Sequence, residues 1–348
     1  MTELQSETAS PLAADWPLNP VQVRVWRGDR VESVHRGAWV VVDAGGRALA
    51  GDGEPEARVF ARSTIKSLQA LPLVETGAAD RFGLGQRELA LALASHNAEP
   101  CHTEPVAALL AKLELSASDL RCGAQVPGDP RTRRDLLGSG ASPTALHNNC
   151  SGKHAGFLTL TRHLGADPAS YLDPAGPTQT LVREAIADMC ADRGRQLDHA
   201  TDGCSAPTYH LSLRELATGF ARVANPDGLA PERAAACRRM TAAVAAHPEL
   251  IAGHHKRLCS DLARVTGGRL FPKIGAEGVY CIGEVGADRG LALKLDDGQA
   301  RGLHALVLGL LERLGWLSTA ELEALEAWRP GVLTNWAGLR VGHVEVVA

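Results

Sequence analysis

Ala61-Arg62-Ser63-Thr64-Ile65-Lys66, running on into Ser67-Leu68-Gln69-Ala70-Leu71, is the stretch on which the reading of this chain turns. A short strand pattern, Ala57-Arg58-Val59-Phe60, leads straight into it, and the spacing predicts a helix from about Ser63. Residues three apart on a helix share a face, so the Ser63 hydroxyl and the Lys66 amine can meet. A serine beside a lysine is the arrangement of an acylating nucleophile and its base, provided that the amine is stripped of its charge by burial or by neighbouring cations. The pattern by itself is weak, since a chain of this length holds about one Ser-x-x-Lys by chance.

Composition strengthens it. Lysine stands at only six of the 36 basic positions, 66, 112, 153, 256, 273 and 294, and the rest are arginine. Arginine cannot give up its proton in a protein, so a chain that otherwise prefers it has reason to keep lysine where a neutral amine is needed. Lys66, Lys153 and Lys273 all fall in stretches that carry other chemical signals.

The 348 residues are 45% apolar and 22% charged, enough to bury a sizeable core in one large or two smaller domains. A net charge of -4 gives no field for nucleic acid, and Arg131-Thr132-Arg133-Arg134 reads as a solvated loop. Residues 1–17 lack the basic start and apolar centre of a signal peptide and read as a flexible leader. No segment has the apolar run of a membrane span, and we expect a cytoplasmic protein. The eight cysteines suit thiols or metal ligands better than a disulfide framework.

Strand patterns gather at the two ends of the chain. Val21 to Trp26 alternates, Arg36 to Asp43 follows, and after Thr266 come Arg269 to Lys273, Val279 to Gly286, Leu291 to Leu295, two helices and a closing hairpin over Val332 to Val347 that turns at Ala337-Gly338. Between them the period is helical, over Gln86 to Ala94, Thr103 to Leu113, Lys153 to Leu164, Thr178 to Ala191, Leu211 to Val223 and Pro231 to Ala246. The prediction is a single α+β catalytic domain of two lobes. Residues 20–62 and 268–348 supply an antiparallel sheet lobe with flanking helices, and 63–267 a mainly helical one.

Two more stretches fall into order with the first. Ser63-x-x-Lys66, Ser95-His96-Asn97 and Lys273-Ile274-Gly275 resemble, in sequence order and strand–helix–strand placement, the three motifs of penicillin-binding proteins and serine β-lactamases. Ile274 stands where those proteins carry a hydroxyl residue for the ligand carboxylate, which argues against penicillin recognition. In that arrangement Ser95 and Lys273 form a second tandem beside the first, and two neighbouring lysines depress one another's basicity.

His147-Asn148-Asn149-Cys150-Ser151-Gly152-Lys153-His154 and Thr201-Asp202-Gly203-Cys204-Ser205-Ala206-Pro207 are polar turns of small residues. Their thiols suit a soft divalent ion, zinc first, with a nitrogen from Lys153, His147 or His154 and one position left open. Together the five stretches resemble the L-asparaginase II family of the inducible rhizobial type, the class 3 asparaginases, over about Val21 to Val347. HNNCSGKHAGFL, DGCSAPTYHLSL and KIGAEGVY are its most specific blocks.

The resemblance implies a fold similar to serine β-lactamases and glutaminases, hydrolysis of L-asparagine to L-aspartate and ammonia, and a homodimer. It implies Ser63 as nucleophile with Lys66 as base, Ser95 and Lys273 as the second tandem, and Arg62, Asp202 and Cys259 at the substrate. It also implies one zinc on Cys150, Lys153 and Cys204 that supports substrate binding rather than the chemical step. Two other readings stand beside it: an amidohydrolase that uses Cys150 or metal-bound water as nucleophile, and a non-catalytic amino-acid sensor that kept the pocket. A deaminase is disfavoured, because Pro100-Cys101-His102-Thr103-Glu104 has glutamate where that signature needs a second cysteine.

Overall fold

The structure is a computed structural model that describes residues 17–190 and 196–348. The expected leader, Pro17 apart, and Ala191 at the end of one expected helix lie outside the described residues. The strands are β1 (Val21–Arg27), β2 (Arg30–Val42), β3 (Ala48–Asp52), β4 (Arg58–Phe60), β5 (His199–Thr201), β6 (Pro207–Ser212), β7 (Leu270–Ile274), β8 (Val279–Glu284), β9 (Gly290–Leu295), β10 (Val332–Thr334) and β11 (Arg340–Val346).

Among the described residues the main sheet is eight-stranded in the order β10-β11-β1-β2-β9-β8-β7, with β3 added to β2. Every pairing is antiparallel, and the chain ends meet where β1 pairs β11 (Val23 opposite Val346) and β2 pairs β9 (Gly37 opposite Leu295). This is the α+β arrangement that strand patterns at both ends require. In β8 and β9 every residue is buried, not every second one, so both faces of the sheet are covered.

Two helices, Leu213–Ala224 and Ala300–Arg313, pack against this sheet. The first approaches so closely that only glycine fits beneath it: a Cβ on Gly290 would stand 2.1 Å from the Ala217 carbonyl oxygen, and one on Gly283 2.5 Å from that of Phe220. The helical lobe is centred on the helix Ser151–His163, whose residues 151–161 are all buried. A helix without a solvent face needs neighbours all round it, and Gln86–Ala92, Pro100–Lys112 and Pro177–Cys190 are among them. No helix among the described residues is long and apolar enough to cross a membrane.

Several local expectations change. Ser212-Leu213-Arg214-Glu215 forms the capping box, so that helix begins at Leu213, and the residues before it make β6. β6 joins β4 and β5 in a separate small sheet, which takes β4 out of the main one. Arg131 to Arg134 lies in an exposed helix, Pro130–Gly138, rather than a loop, because Asp129 caps it and Pro130 opens it with a preset φ. The stretch at Ser63 is a turn of 3-10 helix, Arg62–Ile65, continuing into the α-helix Lys66–Gln69.

Candidate active site

The turn that carries Ser63 is pinned from several sides. The Ala61 amide donates to the Tyr209 carbonyl at 3.0 Å, the Arg62 amide donates to Thr208 Oγ1 at 3.0 Å, and Thr64 Oγ1 donates to the Ala61 carbonyl at 2.7 Å. Arg62 has φ +51°, a left-handed conformation that arginine rarely adopts and that the surrounding contacts must hold. The end of β7 lies against it, since a Cβ on Gly275 would come within 3.1 Å of the Ala61 carbonyl oxygen. Ser63 and Lys273 therefore belong to one neighbourhood, with Ser63 half-buried at its margin.

Both lysines are buried and converge on one oxygen. Lys66 Nζ donates to Ser95 Oγ at 3.0 Å, and Lys273 Nζ donates to the same atom at 2.7 Å. Lys66 also donates to the Ala94 carbonyl at 2.6 Å and, more loosely, to the Asn149 carbonyl at 3.4 Å. Lys273 completes its set with the carbonyl of Ile274 at 3.0 Å. Burial, with the Lys66 cation second, brings Lys273 down to about 7; burial also lowers Lys66, aided by Lys153 and opposed by the Cys150 thiol. The structure thus brings Ser95 and Lys273 together.

The first tandem is not made directly: among the described residues the acceptors of Lys66 do not include Ser63. The Lys66 amine instead faces the carbonyls of Ala94 and Asn149, Ser95 Oγ and the Cys150 thiol, which occupy the N–H groups of a buried ammonium.

A third lysine joins the two thiols. Lys153 Nζ donates to Cys204 Sγ at 3.0 Å, and Cys204 Sγ lies 3.6 Å from Asp202 Oδ2. The neighbouring Cys204 thiol holds Cys150, whose Sγ donates to Asn149 Oδ1 at 3.0 Å, well below the usual thiol value, and the same pairing pushes Cys204 up. Burial disfavours the charge on Lys153, but the Cys204 and Cys150 thiols outweigh it and raise its basicity. Asp202 Oδ1 accepts from Arg62 Nε at 2.6 Å; burial opposes its ionisation, yet that bond and Lys153 keep the carboxyl below its ordinary value.

Of the three nitrogens considered beside these thiols, the histidines point elsewhere. His147 Nδ1 accepts from the Thr144 amide at 3.0 Å. His154 Nδ1 lies 2.8 Å from the hydroxyl of Tyr171, which itself accepts from the Arg121 amide. Two buried thiols and a buried amine beside a carboxylate are a donor set that fits zinc.

Cys259 is buried with its Sγ donating to the Tyr280 hydroxyl at 3.2 Å, at the start of the helix Leu258–Val265. Two participants were not named by the sequence reading. Thr208 holds the amide of Arg62, and Arg257 donates from Nη2 to the Ser95 carbonyl at 2.6 Å and from Nη1 to Asn97 Oδ1. Thr208 lies in the block DGCSAPTYHLSL without a role read for it, Arg257 lies in none of the quoted blocks, and each comes from a segment distant in sequence from its partner.

A sequence profile of the L-asparaginase II family matches residues 23–346. The chain belongs to the L-asparaginase II family. The serine–lysine cluster lies inside the matched region. No curated protein matches the chain. Among solved structures it is similar to Mglu in its native form in the presence of 4.3 M NaCl, at TM-score 0.45 and 14% identity, over 81% of this chain and 61% of that one. It is also similar to a β-lactamase from Mycobacterium bovis, at TM-score 0.38 and 14% identity, over 84% and 94%. The asparaginase II chain thus spans about 61% of the length of Mglu.

Proposed function

We propose that this asparaginase II chain hydrolyses L-asparagine to L-aspartate and ammonia through an acyl-enzyme on Ser63. The observation that carries the reading is one hydroxyl, Ser95 Oγ, held between two buried amines, one of them with a pKa of about 7. Near neutral pH such a cluster can take up and release a proton. When Lys66 loses a proton, one N–H leaves its saturated set and a lone pair becomes available to Ser63 one helical turn away. The hydroxyl of Ser95 links Lys66 to Lys273, which accepts or returns the proton.

In the first half-reaction Ser63 Oγ forms a bond to the side-chain amide carbon as its proton passes to the amine. Collapse breaks the C–N bond, and the lysine returns the proton to the leaving ammonia. Water repeats the sequence on the ester and frees the carboxylate. The Arg62–Asp202 pair offers a cation and an anion side by side, which suits the α-carboxylate and α-ammonium of a free amino acid.

Cys150, Lys153 and Cys204 would hold the zinc. When bound, it supplies a fixed positive charge that orients substrate next to Asp202. Lys153 must give up its proton to serve as a ligand, and the thiols theirs. A homodimer remains part of the proposal on the resemblance alone, and a cytoplasmic location on the reading of the sequence.

A second reading follows from the same bonds: Ser95, already hydrogen-bonded to both amines, is the nucleophile. Ser95 is 6% exposed, whereas Ser63 is half-buried at the margin of the cluster, so Ser63 is the more reachable. The test is ammonia release from asparagine and glutamine separately, followed by acid quench and peptide mapping of the trapped acyl group. Mass on the Ser63 peptide supports the first reading, and mass on the Ser95 or Cys150 peptide replaces it. No ammonia from any small amide leaves the amino-acid sensor.

A further inference from the structure

Arg257 sits behind the serine–lysine cluster without an anionic partner. Among the described residues no carboxylate lies within ion-pair distance of it, although its guanidinium is drawn in from a half-buried position at the start of the helix Leu258–Val265. A cation turned inward with no anion in contact is costly, and Glu99 supports it only from beyond ion-pair distance. Its two nitrogens grip the turn that carries Ser95. Nη2 donates to the Ser95 carbonyl at 2.6 Å, and Nη1 donates to Asn97 Oδ1.

The same turn is held on its backbone by the segment just before Arg257. The Ser95 amide donates to the Ile251 carbonyl at 2.9 Å, and the Asn97 amide to that of Ala252 at 2.9 Å. Gly253 (φ +145°) then allows the chain to fold against Asn97, where any Cβ would sit 2.7 Å from Asn97 Nδ2. Lys256 takes up φ +53° to bring Arg257 round. Residues 251–257 therefore form a bracket closed by a planar fork of fixed geometry.

From this we infer that Arg257 is a positioning residue for the amidohydrolase reaction, holding Ser95 Oγ at the point where the Lys66 and Lys273 amines meet and setting a permanent positive charge behind them. The inference deepens the proposed serine–lysine mechanism and rests on it. Ser95 touches Lys273, and the charged and titratable groups that act on it are Lys66 from the helix Lys66–Gln69, Cys150 from the start of the helix Ser151–His163, Cys259 and Arg257 from the start of the helix Leu258–Val265, and Cys281 from β8. After burial, Lys66 and Arg257 push its basicity down, and the Cys259 and Cys150 thiols pull it up. Lysine at position 257 would keep the charge and lose the fork; glutamine would lose the charge and keep one donor.

The experiment compares R257K and R257Q with the wild type in steady-state ammonia release from asparagine. In parallel, 13C NMR follows the titration of the lysine side chains. Only six lysines are present, and the Lys273 signal is assigned by its loss in K273M. For R257K the expected result is kcat lower by about 100-fold with KM within about threefold, and Lys273 titrating near its wild-type pH. For R257Q we expect a similar loss in kcat, and a Lys273 titration moved up by about one pH unit together with the acidic limb of the kcat profile.

Wild-type kcat in R257K, a change confined to KM, or a Lys273 titration in R257Q that stays in place overturns the inference. Should R257Q fail to fold, R257K decides on kcat. If the wild type releases no ammonia from any small amide, the functional reading fails, and the lysine titrations still decide whether Arg257 acts on Lys273.

Discussion

Lys66 and Lys273, one from the first helix of the helical lobe and one from the sheet, both donate to Ser95 Oγ, at 3.0 and 2.7 Å. A hydroxyl oxygen has two lone pairs, so two charged amines would fill it and leave its own hydrogen without an acceptor among them. Once either amine is neutral, that hydrogen has a lone pair to point at, and the three groups become a continuous proton path. The charge state of the pair is therefore the variable that activity should follow.

The pH profile tests this first. Lys273 has a pKa of about 7, and the base is the neutral form, so activity rises with pH. The kcat for asparagine should climb about tenfold per unit below that value and level above it. A stopped assay from pH 5 to 9 in constant ionic strength checks the sign. A flat profile over that range speaks against a lysine base.

Removing the shared hydroxyl isolates the relay. S95A is expected to lower kcat by about 100- to 1,000-fold, with KM little changed and bound zinc retained. S63A should abolish acyl-enzyme formation altogether. Near-normal turnover in S63A would return the nucleophile to Ser95 or Cys150.

For zinc, the readout is metal content rather than rate. Purified wild type is expected to carry one zinc per chain, and C150S, C204S and K153A to lose it, whereas S63A keeps it. Inductively coupled plasma measurements on reduced protein decide this. A wild type that binds no zinc with its thiols reduced would falsify the donor assignment.

Asp202 can be separated from the chemistry. D202N leaves Arg62 without its anion and removes the counter-charge for a substrate ammonium, so KM should rise about 30-fold, near 2 kcal/mol, with kcat falling less. Steady-state kinetics with asparagine provide the check. A loss in kcat alone would place Asp202 in the reaction instead.

Packing makes a prediction independent of function. G290V puts a side chain into a space only 2.1 Å from the Ala217 carbonyl oxygen, which the backbone of Leu213–Ala224 cannot vacate without leaving the sheet. The expected loss is about 3 kcal/mol in urea unfolding. An unchanged midpoint would mean that the helix stands farther from β9 than the structure places it.

Much of the site was legible because its residues come in short blocks. Ser95-x-Asn97, Lys273-x-Gly275 and the two cysteine turns each declare themselves by small polar residues at element ends. The six lysines marked which amines to follow. The helix Pro231–Ala246, which its first proline opens, and the terminal hairpin were read almost to the residue. β3 escaped notice, and so did the small sheet, because Ala48–Asp52, His199–Thr201 and Pro207–Ser212 are too short or too uniformly buried or exposed to alternate. Arg131 to Arg134 looked like a loop, because an exposed helix has no apolar stripe to show its period.

The sequence alone determined which groups could do chemistry: serines, scarce lysines and paired thiols, set at the ends of elements whose periods place sheet at both termini and helices between. What it could not determine was which serine each amine would touch. The expected partner of Lys66 was Ser63, three residues away, and the folded chain gives it Ser95 instead. A buried amine binds whatever acceptors the surrounding walls supply, and those walls come from segments far apart in the chain. The same holds for Arg257, an ordinary residue in a run of His, Lys and Arg until the tertiary structure sets its fork on the turn that carries Ser95.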